Sequence, residues 1–169
     1  MQQYTIILPV KNGSNHIQEC IVSILNQTIP DFELIILENQ STDNTLEIMH
    51  SFNDSRIKII PSEKSLSIED NWARITRIPK KEFITLIGHD DVLEKNYLET
   101  MSQLISRFPD ATLFQTHFRY INANGKELKK CKPMPEKIFP AEVISMFMTD
   151  KISLMGTGFM MRSAHYDKS

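Results

Sequence analysis

Short apolar runs alternate with helical patterns along most of the chain. Residues 4–10, 32–37 and 83–87 are nearly continuous apolar segments. Such runs are typical of strands that are buried on both faces of a parallel sheet. Further strands are predicted over 56–60, 112–120 and 158–161.

Apolar residues at helical spacing separate these predicted strands. Ile17, Cys20, Ile21, Ile24 and Leu25 form the apolar face of a first helix. The same spacing predicts helices that carry Leu46, Met49 and Phe52, then Ile68, Trp72 and Ile75, then residues 97–108, and finally Val143, Ile144 and Phe147. Regular alternation of strand and helix predicts the α/β class with a largely parallel sheet.

Composition and charge narrow the function classes. The 169 residues suit one domain, and 41% hydrophobic residues are ordinary for a globular protein. A formal net charge of −2 gives no electrostatic reason to expect nucleic acid or an anionic membrane surface as a partner. We expect no membrane span in this chain, because no apolar run reaches the roughly 18 residues that a span requires. With no basic-then-apolar leader and only two isolated cysteines, the cytoplasm is the expected location.

The part of the chain after residue 120 is richer in turn formers and lysine. Asn124-Gly125 predicts a hairpin turn. Residues 126–137 are rich in lysine and proline and are predicted to form an exposed loop. A solvated face is favoured over an anion-binding role for this loop.

Two adjacent carboxylates, Asp90 and Asp91, follow the strand predicted over 83–87. Ligands of open α/β sheets bind outside the carboxyl ends of the strands. Oxygen ligands there favour a divalent cation that holds a phosphate-bearing ligand. The alternative is that Asp91 caps the next helix, with Glu94 completing a capping box. On this pair alone the cap is favoured, because helix caps far outnumber metal sites.

Other polar groups are predicted at the same edge of the sheet. The first strand ends near Pro9 and Lys11, and Asn39 follows the second strand. Right-handed crossovers bring these strand ends together, which gives a site for a base, a ribose and a metal-bound diphosphate. The chain contains neither a Walker A motif nor a Gly-x-Gly-x-x-Gly motif, so a metal would have to hold the phosphates.

Several blocks of sequence resemble family 2 glycosyltransferases, and the resemblance covers nearly the whole chain. The blocks are Ile6-Ile7-Leu8-Pro9-Val10-Lys11-Asn12, Ser23-Ile24-Leu25-Asn26-Gln27-Thr28, Asp31 to Asp43, Gly88-His89-Asp90-Asp91 and Gly158-Phe159-Met160-Met161-Arg162-Ser163. The resemblance implies the GT-A fold, a Rossmann-like open twisted sheet, mostly parallel, in a three-layer arrangement with flanking helices. It implies a single GT-A-like nucleotide-sugar-binding domain over residues 1–169.

The resemblance also implies roles for individual residues. The base pocket would be lined by the backbone of Pro9, Val10 and Lys11. Asn39 would face the base, and Asp90 would lie near the ribose and the diphosphate. Asp91 would ligate Mn²⁺ or Mg²⁺, the implied cofactor. The bound cation would neutralise charge on the departing nucleoside diphosphate.

Four positions depart from the pattern of the family. Glu38 and Asn39 stand where two aspartates are usual, Lys11 stands where an aromatic residue is common, and Gly88 often has an aspartate counterpart. An asparagine both donates and accepts hydrogen bonds, whereas an ionised aspartate only accepts. The usual preference for uridine is therefore open in this chain.

The general base of an inverting transfer is expected beyond Ser169, so no catalytic residue is assigned. In the family this base is a carboxylate that follows the strand ending at Arg162-Ser163. Asp150 and Asp167 are the nearest late carboxylates, but neither lies in that motif. We therefore expect the chain to be the donor-binding part of a longer enzyme, lacking the acceptor and base segment.

The resemblance implies an inverting, metal-dependent transfer of a sugar from a nucleotide-diphosphate sugar. The acceptor would be a saccharide or a lipid-linked molecule in the assembly of bacterial surface polysaccharides. Two alternatives stay open. The chain could be a non-catalytic nucleotide-binding module with the same fold. A phosphoryl-transfer domain of receiver type fits less well, because it needs paired acids after the first strand and a lysine after a late one.

Overall fold

A computed structural model describes residues 3–168, and its first half alternates strands and helices as predicted. In chain order the elements are β1 Tyr4–Val10, α1 Ile17–Leu25, β2 Phe32–Glu38, α2 Thr45–Ser51, β3 Ile57–Pro61, α3 Ile68–Ala73, a 3₁₀ helix Arg74–Arg77, β4 Phe83–Leu86 and α4 Tyr97–Arg107. The elements that follow are β5 Leu113–Phe114, β6 Arg119–Ile121, β7 Glu127–Lys130, α5 Pro140–Met148, β8 Met160–Arg162 and α6 Ser163–Tyr166.

Six of the strands form one sheet in the order β3-β2-β1-β4-β8-β5. The first four are parallel neighbours, and β8 runs antiparallel to both β4 and β5. The predicted mostly parallel α/β sheet is therefore confirmed. The strand order reverses direction at β1, since β2 and β3 lie on one side and β4 lies on the other. In doubly wound folds such a switch point opens the crevice that binds ligands.

Apolar side chains pack on both faces of this sheet, which confirms the three-layer arrangement. Ile6 and Leu8 of β1 belong to the larger core cluster, together with Ile17 and Cys20 of α1. Ile7 belongs to a smaller cluster on the other face, to which Trp72 of α3 packs. Successive residues of a strand point to opposite faces, so a fully buried β1 needs cover on both.

The prediction of one strand over 112–120 was wrong. The segment contains two separate strands, β5 in the large sheet and β6, which pairs only with β7. β6 and β7 form the hairpin that Asn124-Gly125 predicted, and Gly125 adopts a φ of 72° at its turn. Part of the exposed loop predicted over 126–137 is also strand, because β7 covers Glu127–Lys130 with every residue exposed.

The described residues divide into two compact units. One unit contains the residues up to Phe114 and those from Thr157, and the other is Gln115–Gly156. The single domain predicted over residues 1–169 stays a prediction, and residues 1, 2 and 169 lie outside the described part. Within residues 3–168, none of the helices combines the length and the apolar character that a membrane span requires.

Candidate functional site

The carboxyl ends of β1, β2 and β4 meet at the switch point. Val10 is in register with Glu38 of β2, and the Asn39 N–H donates to the Val10 carbonyl over 3.0 Å. On the other side the Ile87 N–H donates to the Ile7 carbonyl over 3.0 Å. The end of β1 and Asn39 are therefore neighbours, and residues 88–91 continue from β4 at the same edge.

Pro9 explains why the pairing of β1 with β4 ends where it does. In a strand inside a sheet, the backbone groups of successive residues point towards opposite neighbouring strands. Since Ile7 bonds towards β4 and Val10 towards β2, Pro9 faces the β4 side. Proline has no N–H to donate, and paired residues between β1 and β4 end at Ile7 and Leu86. The chain then leaves the sheet after β4 and forms a turn over residues 88–91.

Asp90 and Asp91 lie in the turn that follows β4, where the Asp91 N–H donates to the Gly88 carbonyl over 3.2 Å. A Cβ atom built on Gly88 would lie 2.9 Å from Asp90 Oδ1 and 3.0 Å from Asp91 Oδ2. Both carboxylates thus reach the same small space beside Gly88. A cation that takes one or two carboxylates together with ligand phosphates fits this pair of oxygens.

The interpretation of Asp91 as a helix cap was wrong. The next helix, α4, begins only at Tyr97, and Asn96 is its N-cap residue. Glu94 accepts the Tyr97 N–H through its backbone carbonyl and completes no capping box with Asp91. The Asp91 carboxylate therefore has no capping role at α4.

Thr157 is a site residue that the sequence did not reveal. Its hydroxyl donates to Asp91 Oδ2 over 2.5 Å, and the neighbouring Gly158 N–H donates to the Leu86 carbonyl over 2.6 Å. The antiparallel pairing of β8 with β4 brings this segment to the end of β4. No local motif marks Thr157, because only the sheet topology places it beside residue 91.

Cys20 of α1 lies under the acidic turn. It is fully buried, and its Sγ lies 3.5 Å from the Gly88 carbonyl, to which the thiol donates. Burial raises the pKa of the Cys20 thiol well above its usual range, and the charges of Asp91 and Asp90 raise it further. The thiol therefore stays neutral and packs against the backbone of the turn.

The loops after β1 and β2 are joined by hydrogen bonds. Backbone N–H groups of Asn12, Gly13 and Ser14 donate to the side chains of residues 41, 45 and 43, at 3.0, 2.8 and 3.1 Å. Gly13 also lies against His89, since a Cβ atom at Gly13 would be 2.7 Å from the imidazole Cδ2. These contacts fix the loop beside the acidic turn.

Asn39 is buried, with 2% of its surface exposed, and its amide is bound to the chain that follows β3. Asn39 Oδ1 accepts the Leu66 N–H over 2.8 Å and the Ser62 hydroxyl over 3.3 Å. Its Nδ2 donates to the Leu66 carbonyl over 3.0 Å. We call residues 62–66 the β3–α3 loop.

Three further side chains hold the same region. Lys11 Nζ donates to Ser65 Oγ over 2.6 Å, and Gln40 Nε2 donates to the Ser62 carbonyl over 2.6 Å. Arg74 donates to the carbonyls of Ile60 and Pro61, at 2.7 and 3.0 Å. Desolvation of the Arg74 guanidinium lowers its pKa. The β3–α3 loop and Arg74 line a groove of about 250 Å³.

The other candidate groups fit the site less well. A groove of about 460 Å³ is larger, but its lining contains none of the predicted site residues. Asp167 pairs with Lys80 over 2.8 Å, and Asp150 pairs with Lys132. Between residues 3 and 168 no group of three or more His, Cys, Asp or Glu side chains could hold a metal. A cation held by Asp90 and Asp91 would therefore need further donors from a bound ligand.

The chain also matches a known protein family. Residues 5–168 match the model of a family described as "Glycosyl transferase family 2". The chain is 26% identical over 123 residues to glycosyltransferase GlyG of Streptococcus pneumoniae, an alignment that covers 72% of this chain and 41% of GlyG.

Solved structures show the same fold. Staphylococcus aureus TarS 1–349 in complex with UDP-GlcNAc matches with a TM-score of 0.75 and 18% identity, over 98% of this chain and 47% of TarS. The mannosyltransferase PcManGT of Pyrobaculum calidifontis in complex with GDP-Man and Mn²⁺ matches with a TM-score of 0.57 and 16% identity, over 67% of this chain and 34% of PcManGT. The chain thus spans less than half of the length of each of these three proteins.

Proposed function

The chain belongs to glycosyl transferase family 2, and from this membership we propose that it is the donor-binding part of a metal-dependent glycosyltransferase. The proposed donor is a nucleotide-diphosphate sugar, whose sugar is transferred with inversion to a saccharide or lipid-linked acceptor. The acceptor, the general base beyond Ser169 and the cytoplasmic location stay predictions.

The convergence of Asp90 and Asp91 beside Gly88 is the observation that carries this proposal. One oxygen of each carboxylate lies within 3.0 Å of the same position beside Gly88. This position is at the switch point of the sheet, where ligands of such sheets bind. Two carboxylates would repel a diphosphate unless a cation lay between them and the ligand. Their geometry therefore favours a metal-bound diphosphate over a free one.

We assign the roles of the site residues as follows. Asp91 holds the cation, and Thr157 orients the Asp91 carboxylate. Asp90 lies beside it, at the ribose and the diphosphate. The base end of the site is built from Pro9, Val10, Lys11 and Asn39.

Mn²⁺ or Mg²⁺ is the proposed cofactor. When bound, the cation neutralises negative charge that develops on the leaving nucleoside diphosphate. PcManGT, which shares the fold, was solved with Mn²⁺ and a nucleotide sugar. UDP-GlcNAc bound to TarS likewise supports a nucleotide-sugar donor for this chain.

Substitution of Asp91 tests the proposal directly. We expect the chain to bind a nucleoside diphosphate in the presence of Mn²⁺, and Asp91→Ala to weaken this binding about a hundredfold, since a metal ligand is lost. Isothermal titration calorimetry with UDP, GDP, ADP and CDP, each with and without Mn²⁺, measures the effect. The exposed Asp110 at the end of α4, changed to alanine, is the matched control.

Two outcomes bear on the competing interpretations. If no nucleoside diphosphate binds with Mn²⁺, or if Asp91→Ala binds as tightly as the wild type, the proposed site is wrong. Binding without hydrolysis of any nucleotide-sugar donor would favour the non-catalytic nucleotide-binding module. Slow metal-dependent hydrolysis of a donor would favour the enzyme.

A further inference from the structure

We propose that Asn39 acts on the nucleotide through the β3–α3 loop: its amide fixes the main chain of Leu66, and the loop so held forms the wall of the base site. Asn39 is then a positioning residue and does not contact the base itself. This inference rests on the proposed function, because it concerns the same nucleotide site.

The hydrogen-bonding capacity of the Asn39 side chain is nearly used up. An asparagine amide offers two acceptor positions and two N–H donors. Oδ1 already accepts from the Leu66 N–H and from the Ser62 hydroxyl, and Nδ2 donates to the Leu66 carbonyl. With 2% of its surface exposed, Asn39 presents little of itself to a ligand.

The two bonds to Leu66 form a closed pair between one side-chain amide and one peptide group. A base that took over the amide would leave the Leu66 N–H and carbonyl without their partners. Leaving these partly buried polar groups unpaired costs free energy, so displacement opposes binding. Direct reading of the base by Asn39 would therefore have to break a contact that the fold has already made.

The β3–α3 loop is held at several points in addition to Leu66. Lys11 bonds the Ser65 hydroxyl, and Gln40 bonds the Ser62 carbonyl. The Ser62 N–H also donates to the Glu38 carbonyl over 2.9 Å. Each of these partners lies at the carboxyl end of β1 or β2. The loop is thus attached to the edge at which the donor is proposed to bind.

An aspartate at position 39 could not make the same contacts. Its carboxylate could accept the Leu66 N–H but could not donate to the Leu66 carbonyl. The negative oxygen would instead face the carbonyl oxygen and repel it. Only the amide of asparagine can both accept from and donate to Leu66. This pair of hydrogen bonds is a physical reason for asparagine in place of the usual aspartate.

The test compares Asn39→Asp with the wild type for ligands that have and lack a base. Calorimetry with Mn²⁺ measures the affinities for UDP, GDP, ADP, CDP and inorganic pyrophosphate. We expect Asn39→Asp to weaken the binding of all four nucleoside diphosphates by similar factors of about tenfold, as for loss of a partly buried hydrogen bond. Pyrophosphate affinity should stay within about twofold, because its metal contacts are unchanged.

Proteolysis gives a second measurement on the same variants. Lys64 is exposed within the β3–α3 loop, so trypsin can cleave there when the loop detaches. We expect faster cleavage after Lys64 in Asn39→Asp than in the wild type, and protection of the wild type by nucleoside diphosphate. Asn53→Asp, at an exposed position before β3, is the matched control and should change neither measurement.

Ser65→Ala keeps the inference testable if Asn39→Asp does not fold. Ser65 is exposed, and its substitution removes the bond from Lys11 to the same loop. We expect a smaller loss of about threefold, again equal for the four bases, as for an exposed hydrogen bond.

A changed ranking of the bases in Asn39→Asp, such as a relative gain for UDP, would show direct contact and overturn the inference. Unchanged affinities in both variants would also overturn it. Failure of the wild type to bind any nucleoside diphosphate would instead overturn the proposed function, and with it the nucleotide site on which this inference depends.

Discussion

Asp91 Oδ2 accepts a hydrogen bond from the Thr157 hydroxyl. The same oxygen lies beside Gly88, in the space that we assign to the cation. Groups that bond to metal ligands orient them and commonly affect metal affinity about tenfold to a hundredfold. Thr157 is placed to do this for Asp91, although 66 residues separate the two in the chain.

Substitution of Thr157 should therefore weaken metal binding and leave the fold intact. We expect Thr157→Val to lower Mn²⁺ affinity in the presence of UDP about tenfold, because the isosteric side chain lacks the hydroxyl. Thr157→Ser, which keeps a donor, should retain most of the affinity. Electron paramagnetic resonance of free Mn²⁺ measures binding directly. An equal loss in the serine variant would argue against an orienting hydroxyl.

At the level of elements, the turn after β4 depends on the missing side chain of Gly88. A Cβ added at Gly88 would lie 2.9 Å from Asp90 Oδ1 and 3.0 Å from Asp91 Oδ2, closer than at least nine in ten real Cβ contacts. The oxygens would have to move apart. Since they are the ends of exposed side chains, this movement should cost the fold little.

Gly88→Ala should accordingly separate metal binding from stability. We expect about a tenfold loss of Mn²⁺ affinity from displaced ligands. The free energy of unfolding should change by less than about 1 kcal/mol. Titration with Mn²⁺ and urea denaturation measure the two effects. Gly156→Ala is the matched control, because nothing lies within 4 Å of its added Cβ. Unfolding of Gly88→Ala with intact metal affinity would contradict this account.

The elements that the sequence predicts well are those whose apolar pattern lies within one short segment of the chain. β1, β2 and β4 are apolar runs, and their parallel pairing brings the predicted carboxylates and Asn39 to one edge. The prediction of one strand over 112–120 was wrong because the apolar pattern continues past Phe114, whereas strand β5 of the large sheet ends at Phe114. There the Gln115 side chain accepts the Met155 N–H and donates to the Ser153 carbonyl.

Within the site, the same distinction separates what the sequence reveals from what it hides. Asp90 and Asp91 are visible because they directly follow a strand. Thr157 and the β3–α3 loop are not, since they reach the site only through strand pairing and long-range hydrogen bonds. The β7 strand was missed because four exposed residues, two of them lysines, carry no apolar pattern.

For the whole molecule, the joined loops after β1 and β2 couple stability to pH. Hydrogen bonds from the Thr45 and Ser14 groups hold the pKa of the Asp43 carboxyl well below its usual range. The Arg56 side chain and N–H similarly lower the pKa of Asp54. A carboxyl whose pKa is lower in the folded state contributes stability above its unfolded pKa, and that contribution disappears as the pH falls.

We therefore expect the free energy of unfolding to fall on acidification below about pH 4, the ordinary value for an aspartate. Asp43→Asn should make this decline shallower, because the group no longer titrates. Urea denaturation between about pH 3 and pH 7 measures it. Asp110→Asn is the control and should keep the slope of the wild type. An unchanged slope in Asp43→Asn would show that the joined loops do not determine acid stability.

Pro9 also has a consequence for how far β1 pairs with β4. A residue with an N–H at position 9 would offer β4 another hydrogen bond, and the pairing of β1 with β4 could continue beyond Ile7 and Leu86. Proline cannot donate this hydrogen bond, whether or not a ligand is bound. β1 and β4 therefore stop pairing at the same residue whether or not the site holds a ligand.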